Sequence, residues 1–198
     1  MFVKLSRIVS LMKSAYKSGG LRLAADERFY SLQGRNWAMQ IFKEHAPKEF
    51  IGEIIKLSGK LPDKGEQFLA GPEGNQEEIA YRPGDYLDVY RNALEAEAEG
   101  NQLDQSQFLL TTRAGTIYIV FQGGKRTYTM PASMATMIDR SYCTKNEELF
   151  QPYRGLAGAY YRRSDHMAMA ISLYAPEELK PAVDFLDGED LISIMEQA

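Results

Sequence analysis

The sequence predicts an α/β protein: a mixed sheet with flanking helices, preceded by a helical N-terminal region. Three observations predict it. Residues 2–60 carry apolar residues at helical spacing, broken by Gly and Pro. Residues 107–130 hold β-branched and aromatic runs separated by Ala114-Gly115 and Gly123-Gly124. Between these regions, residues 58–78 are rich in Gly, Pro and charge. The expected organisation is a helical region over 1–60, a loop or linker over 61–80 and an α/β core over 81–198. That core runs helix, three-strand meander, helix, strand.

Taken in order, residues 2–17 have one apolar face made of Phe2, Leu5, Ile8, Val9, Met12 and Tyr16. Arg7, Lys13, Lys17 and serines 6, 10 and 14 lie opposite, and Gly19-Gly20 ends the helix. Lys4 stands at its start. Asp26 can cap a second helix with Phe29, Tyr30 and Leu32, weakened by Gly34. Asn36 can cap a third, containing Trp37, Ile41 and Phe42. Pro47 suits the first turn of a fourth, which buries Phe50, Ile51, Ile54, Ile55 and Leu57 and stops at Gly59. Trp37 is expected in the core.

After Pro83-Gly84, Asp85 and Asp88 have capping-box spacing for a helix ending at Gly100. Its Glu95, Glu97 and Glu99 do not share one face, so they are expected as a solvated edge and not as a metal site. Gln107–Thr112, Thr116–Gln122 and Arg126–Met130 form the meander, closed by Pro131. Ser133–Arg140 reads as a short helix. Thr144 and Glu147 have capping-box spacing for a helix running to about Arg163, with a kink at Pro152. Met167–Tyr174 reads as a strand buried on both sides, Ala182–Leu186 as a short strand and Glu189–Gln197 as a closing helix.

The chain has 198 residues, of which 44% are hydrophobic and 25% charged, enough to bury a core without staples. Its single Cys143 cannot form an internal disulfide, which points to a reducing cytosol. No run suits a membrane span or a secretory signal. The net charge of −4 hides an asymmetry. Residues 1–60 carry 11 Lys/Arg against 5 Asp/Glu, residues 61–110 carry 3 against 11, and residues 111–198 carry 9 against 11. A basic arm on an acidic body calls for an anionic partner for the arm, or for contact with the acidic body itself. A protein partner is the first expectation. Nucleic acid is a second, and an anionic membrane surface under residues 2–17 a less favoured third.

The order of elements over residues 85–197 resembles the catalytic core of the restriction-endonuclease-like superfamily, in its Mrr-type branch. Tyr153-Arg-Gly-Leu-Ala-Gly-Ala-Tyr160 resembles that branch's small-residue helix, and Met167–Tyr174 its following strand. Phe185-Leu-Asp-Gly-Glu-Asp-Leu191 is similar to its closing segment. The resemblance implies an acidic residue entering the second strand and a Glu/Gln-x-Lys on the third, which together hold Mg²⁺ and position the phosphate. This chain has Gly115-Thr116-Ile117 and Arg126-Thr-Tyr-Thr-Met130 there instead. The catalytic motif is missing, and no catalytic residue is expected.

The expectation is therefore a non-catalytic protein-interaction or accessory subunit, a pseudo-enzyme on a degenerate nuclease-like fold. It would dock into a larger bacterial or phage assembly and need no cofactor or metal. Its interaction residues would be Lys4, Arg7, Lys13, Lys17, Arg162 and Arg163. One alternative is a metal-dependent DNase with rearranged ligands Asp104, Gln122 and Lys125. Another is a nucleic-acid-binding module that uses Arg162, Arg163 and the N-terminal lysines, with Tyr160 and Tyr161 available to stack on bases. A plainer reading of these arginines is that they sit at a helix C-terminus and favour its dipole. His45, Cys143 and His166 are spread singly, without the spacing of a structural zinc site. No phosphate loop or dinucleotide fingerprint is present.

Overall fold

The computed structural model describes residues 1–77, 88–139, 150–155 and 158–191. Two antiparallel sheets organise them. The larger has eight strands: β1 (Leu21–Ala25), β2 (Phe29–Gln33), β3 (Trp37–Phe42), β4 (Gln67–Gly71), β5 (Gly74–Glu77), β9 (Tyr153–Arg154), β10 (Ala159–Arg163) and β11 (Met167–Ser172). Their spatial order is β5-β4-β1-β2-β3-β11-β10-β9. The smaller is the meander β6 (Asp104–Thr111), β7 (Ile117–Gly123) and β8 (Arg126–Pro131). The helices are α1 (Leu5–Lys17), α2 (Lys48–Ser58), α3 (Val89–Ala98), the single turn α4 (Ala132–Ala135) and α5 (Lys180–Leu186).

The N-terminal region is not all helical, contrary to expectation. Residues 21–42 form three strands between α1 and α2. Asp26 caps a turn instead of a helix. Its Oδ1 accepts from the amides of Arg28 at 2.7 Å and Phe29 at 2.6 Å, which ties the β1–β2 connection. Trp37 to Ile41 are all buried. A strand covered on both faces reads as a continuous apolar run, which periodicity cannot separate from a helix. The expected loop over 61–80 contains the β4–β5 hairpin, with Gly71 opposite Gly74.

Both faces of the centre of the large sheet, at β3 and β11, are covered. Ile8 and Met12 of α1 and Phe50 and Ile54 of α2 are at most 1% exposed and share a cluster with Met39, Ile41, Met167 and Met169. Each such side chain contributes about 1.5–3 kcal/mol. The opposite face carries Ala38, Ala168 and Ala170, and α3 lies on it through Val89, Ala93 and Ala96. Small residues on both partners let that helix sit close. Gln40 is fully buried, and its Oε1 accepts from the Tyr90 amide at 2.8 Å, satisfying one of the free donors at the start of α3. The expected Asp88 cap makes no side-chain bond, and Asp85 lies outside the described residues.

The meander forms as expected, but the turn linking β7 and β8 is Gly124-Lys125, because Gly123 ends β7 and pairs with Arg126. Further expectations change. Ser133–Arg140 is reduced to the one turn of α4, and Arg140 lies outside the described residues. Where the helix was expected to reach Arg163, residues 153–154 and 159–163 are the edge strands β9 and β10. The Thr144–Glu147 box and Cys143 lie outside the described residues. Ala182–Leu186 is helical within α5, where Pro181 fits the first turn. Most of the expected closing helix lies outside the described residues, and 189–191 are not helical.

β3 pairs with β11, Met39 opposite Met169, so one sheet joins strands from both ends of the chain. Among the described residues no helix is long and apolar enough to cross a membrane.

Candidate functional site

Two polar surfaces stand out, and the first is the outer side of α1. Its apolar side packs on the core through Ile8, Met12 and Ala15, with Leu5, Leu11 and Tyr16 partly buried against it. What remains outside is Ser6, Arg7, Ser10, Lys13, Ser14 and Lys17, all exposed. Lys4 is also exposed, although its amide donates to the Met137 carbonyl at 2.8 Å. Lys13 Nζ lies 3.7 Å from Glu53 on α2, and Glu53 is shared with Lys56 at 2.5 Å. The Lys56 hydrogen bond, with the charges of Lys56 and Lys13, holds the Glu53 carboxyl below its usual range. Lys4, Arg7 and Lys17 make no ion pair among the described residues. Beyond Lys17 the chain turns into a hollow of about 310 Å³ lined by Ser18, Gly19, Gly20, Arg22, Gln33, Gly34 and Arg35, with no carboxylate. Arg22 donates to Gln33 Oε1 at 2.6 Å.

The second surface lies where the two sheets meet, a hollow of about 390 Å³. Backbone pairing assembles it. Leu103 donates to the Pro152 carbonyl and Arg154 to the Asn101 carbonyl, at 2.9 and 2.8 Å, so the α3–β6 connection runs beside edge strand β9. Gly123 closes the other side. A Cβ there would come 3.1 Å from Leu103 Cδ2 and 3.4 Å from the Gln102 carbonyl, so the close approach favours glycine. The walls are Gly100, Asn101, Gln102, Asp104, Gly123, Gly124, Tyr128 and Arg154. The Arg154 guanidinium sits over the Tyr128 ring, 5.1 Å from its centroid. Its Nε–H is buried and has no hydrogen-bond acceptor among the described residues. Asp104 is exposed and accepts from Gln102 Nε2 at 3.1 Å.

The residues anticipated from sequence are distributed unevenly over these surfaces. Asp104 faces Gln122 across the β6–β7 ladder. Gln122, however, is 6% exposed, and its amide is spent on the chain end: Nε2 donates to the Glu189 carbonyl and Oε1 accepts from the Leu191 amide at 3.0 Å. Lys125 is exposed in the β7–β8 turn, where its carbonyl accepts from the Gly188 amide at 2.9 Å. Among the described residues no group of three or more His, Cys, Asp or Glu is placed to hold a metal.

Arg162 and Arg163 separate because strand β10 alternates. Arg163 binds one oxygen of Glu97 on α3 through both Nε and Nη2 at 2.7 Å and stacks 3.7 Å over Phe150. Arg162 lies on the other face, 3.4 Å from the Tyr160 hydroxyl, and its buried Nε also has no acceptor among the described residues. Tyr160 and Arg154 are directly opposed across β10 and β9, so Arg154 and Arg162 flank Tyr160 on one face. The helix-dipole reading of these arginines lapses with the helix.

Sequence reasoning missed Arg154, because its segment read as helix. It also missed a pair of histidines. His45 and His166, 121 positions apart, stack with ring centroids 3.6 Å apart and 14° between planes, beside the β3–β11 seam. No spacing in the sequence signals either.

No protein-family model and no curated protein matches this chain. Among solved structures it is similar to a crystal structure of DNA polymerase III beta chain from Streptococcus pneumoniae TIGR4. The TM-score is 0.34 at 11% identity, over 94% of this chain and 66% of that one. The chain thus spans just under two thirds of the length of the structure it matches.

Proposed function

We propose that this chain is a non-catalytic interaction subunit that docks through the outer side of α1 onto an acidic segment of a protein partner within a larger assembly. The observation that carries the reading is the exposed row of Arg7, Lys13 and Lys17, interleaved with three serines on a helix whose other side is locked into the core. A helix anchored in this way presents its cations in fixed register, so less order is lost on binding than for a flexible basic tail. The carboxylate-free hollow at the helix end, with Arg22 and Arg35, extends the same positive lane. Docking here does not depend on the nuclease-like kinship.

The test uses the full chain as bait, with partners identified by mass spectrometry and the complex then rebuilt from purified components. The triple variant R7E/K13E/K17E alters exposed positions only. At roughly 1 kcal/mol per exposed pair, reversal weakens the complex by at least two orders of magnitude. Raising the salt weakens the native complex in the same direction. An unchanged affinity in the variant refutes docking through α1. Salt-sensitive binding of duplex DNA that survives the triple reversal replaces the reading with a nucleic-acid-binding one.

A further inference from the structure

We propose that the hollow between the two sheets binds a small oxyanion that carries its own hydroxyl group, hydrogen phosphate or a 2-hydroxycarboxylate, anchored by Arg154 and selected by Asp104.

Arg154 is the anchor because its charge is not otherwise used. It makes no ion pair among the described residues, and its buried Nε–H has no acceptor. The Tyr128 ring holds one face of the guanidinium, leaving its edge donors as the groups that can meet a ligand. A guanidinium presents planar paired donors that match two oxygens of a carboxylate or phosphate. Half-buried and stacked, it loses little freedom on binding. The hollow has room for such an anion together with its carrier.

Asp104 sets the selectivity. It stands in the wall of the same hollow and repels a bare anion. An ionised carboxylate only accepts hydrogen bonds, and Gln102 supplies just one donor to it. A ligand that brings an O–H converts the repulsion into a charge-assisted hydrogen bond. Phosphate near neutral pH keeps at least one P–O–H, whereas sulfate has none. Glycolate has a hydroxyl beside its carboxylate, and acetate lacks it. Each pair matches in shape around the anion and differs in the donor.

The experiment is calorimetric titration of the full chain at constant ionic strength with phosphate, sulfate, glycolate and acetate. The expected result is saturable binding of phosphate or of glycolate, at least tenfold tighter than its hydroxyl-free counterpart. Which of the two binds identifies the source of the oxyanion. R154Q lowers that affinity at least tenfold. D104N, at an exposed position that preserves folding, brings sulfate within about threefold of phosphate, or acetate within about threefold of glycolate. The proposal is overturned if none of the four binds saturably up to 50 mM, if each pair binds alike in the native chain, or if D104N leaves the discrimination intact. Should R154Q not fold, the D104N comparison alone decides.

Discussion

Replacing Gly34 by Ala tests the β2–β3 turn that lines the hollow beyond α1. Gly34 sits in the β2–β3 turn, where its amide donates to the Trp37 carbonyl at 3.0 Å. Its backbone is not in the left-handed region, so the cost of a methyl group there is steric alone. A Cβ at this position would lie 2.4 Å from Trp37 Nε1, 2.7 Å from Cε2 and 3.1 Å from Cζ2. To restore ordinary contact the indole has to move by roughly 1 Å. The ring is 5% exposed and belongs to the main core, so it cannot swing out freely. Overpacking of this kind costs about 1–3 kcal/mol. With a urea slope of about 2 kcal/mol per molar, the midpoint falls by about 1 M for a 2 kcal/mol loss.

Trp37 is the sole tryptophan, so its emission reports the same displacement directly. The matched control is Gly52→Ala. Gly52 lies inside α2, and a Cβ there meets nothing within 4 Å. Removing a helix-interior glycine stabilises by about 0.5–1 kcal/mol, so its midpoint rises. The assay is urea unfolding followed by both Trp37 emission and far-UV circular dichroism. If Gly34→Ala leaves midpoint and emission unchanged while Gly52→Ala behaves as stated, the packing of the indole on the turn is wrong.

Two other perturbations probe the smaller sheet. Burial, with the Tyr174 hydroxyl 3.4 Å away and its charge beside it, pushes the Tyr118 phenol up from 10 to about 12. The folded state therefore favours the neutral phenol; that stability is complete below pH 10 and is lost as the pH rises towards 12, on the order of 1 kcal/mol lost by pH 11. Urea unfolding at pH 9 and pH 11 should show the native chain losing about that much more than Tyr118→Phe, and equal losses sink the assignment. Gln122→Leu leaves the Glu189 carbonyl and the Leu191 amide without their partner, at about 1–3 kcal/mol for the buried Leu191 amide. Amide exchange at Leu191 should accelerate in step with a lower urea midpoint, and unaltered protection there would show that Gln122 does not hold the chain end.

Legibility followed burial. α1 and α2 were readable because one side of each faces solvent, so polar and apolar residues alternate with the helical period. The meander was readable because β6, β7 and β8 carry β-branched residues and are punctuated by glycine turns. β2 and β3 were not. β3 is buried from Trp37 to Ile41 and so loses the period of two that marks a strand, and Asp26 and Asn36, ahead of β2 and β3, look alike as helix caps and as turn residues. β9 and β10 failed for a related reason: their alternation of tyrosine, arginine and small residues is explained only by what lies on each face.

The same division separates what the sequence by itself determined from what tertiary structure decided. The charge asymmetry, the amphipathic α1, the missing Glu/Gln-x-Lys and the glycine turns are properties of local order, and they persist in any fold. Which cations remain available is not local. Arg163 is neutralised by Glu97, 66 positions away, and Gln122 is drawn to a carbonyl 67 positions away. Arg154 is left beside Asp104 because the backbone of residues 101–103 pairs with an edge strand fifty positions later. Electrostatic partnership depends on distance in space, and only the packing of the two sheets sets those distances.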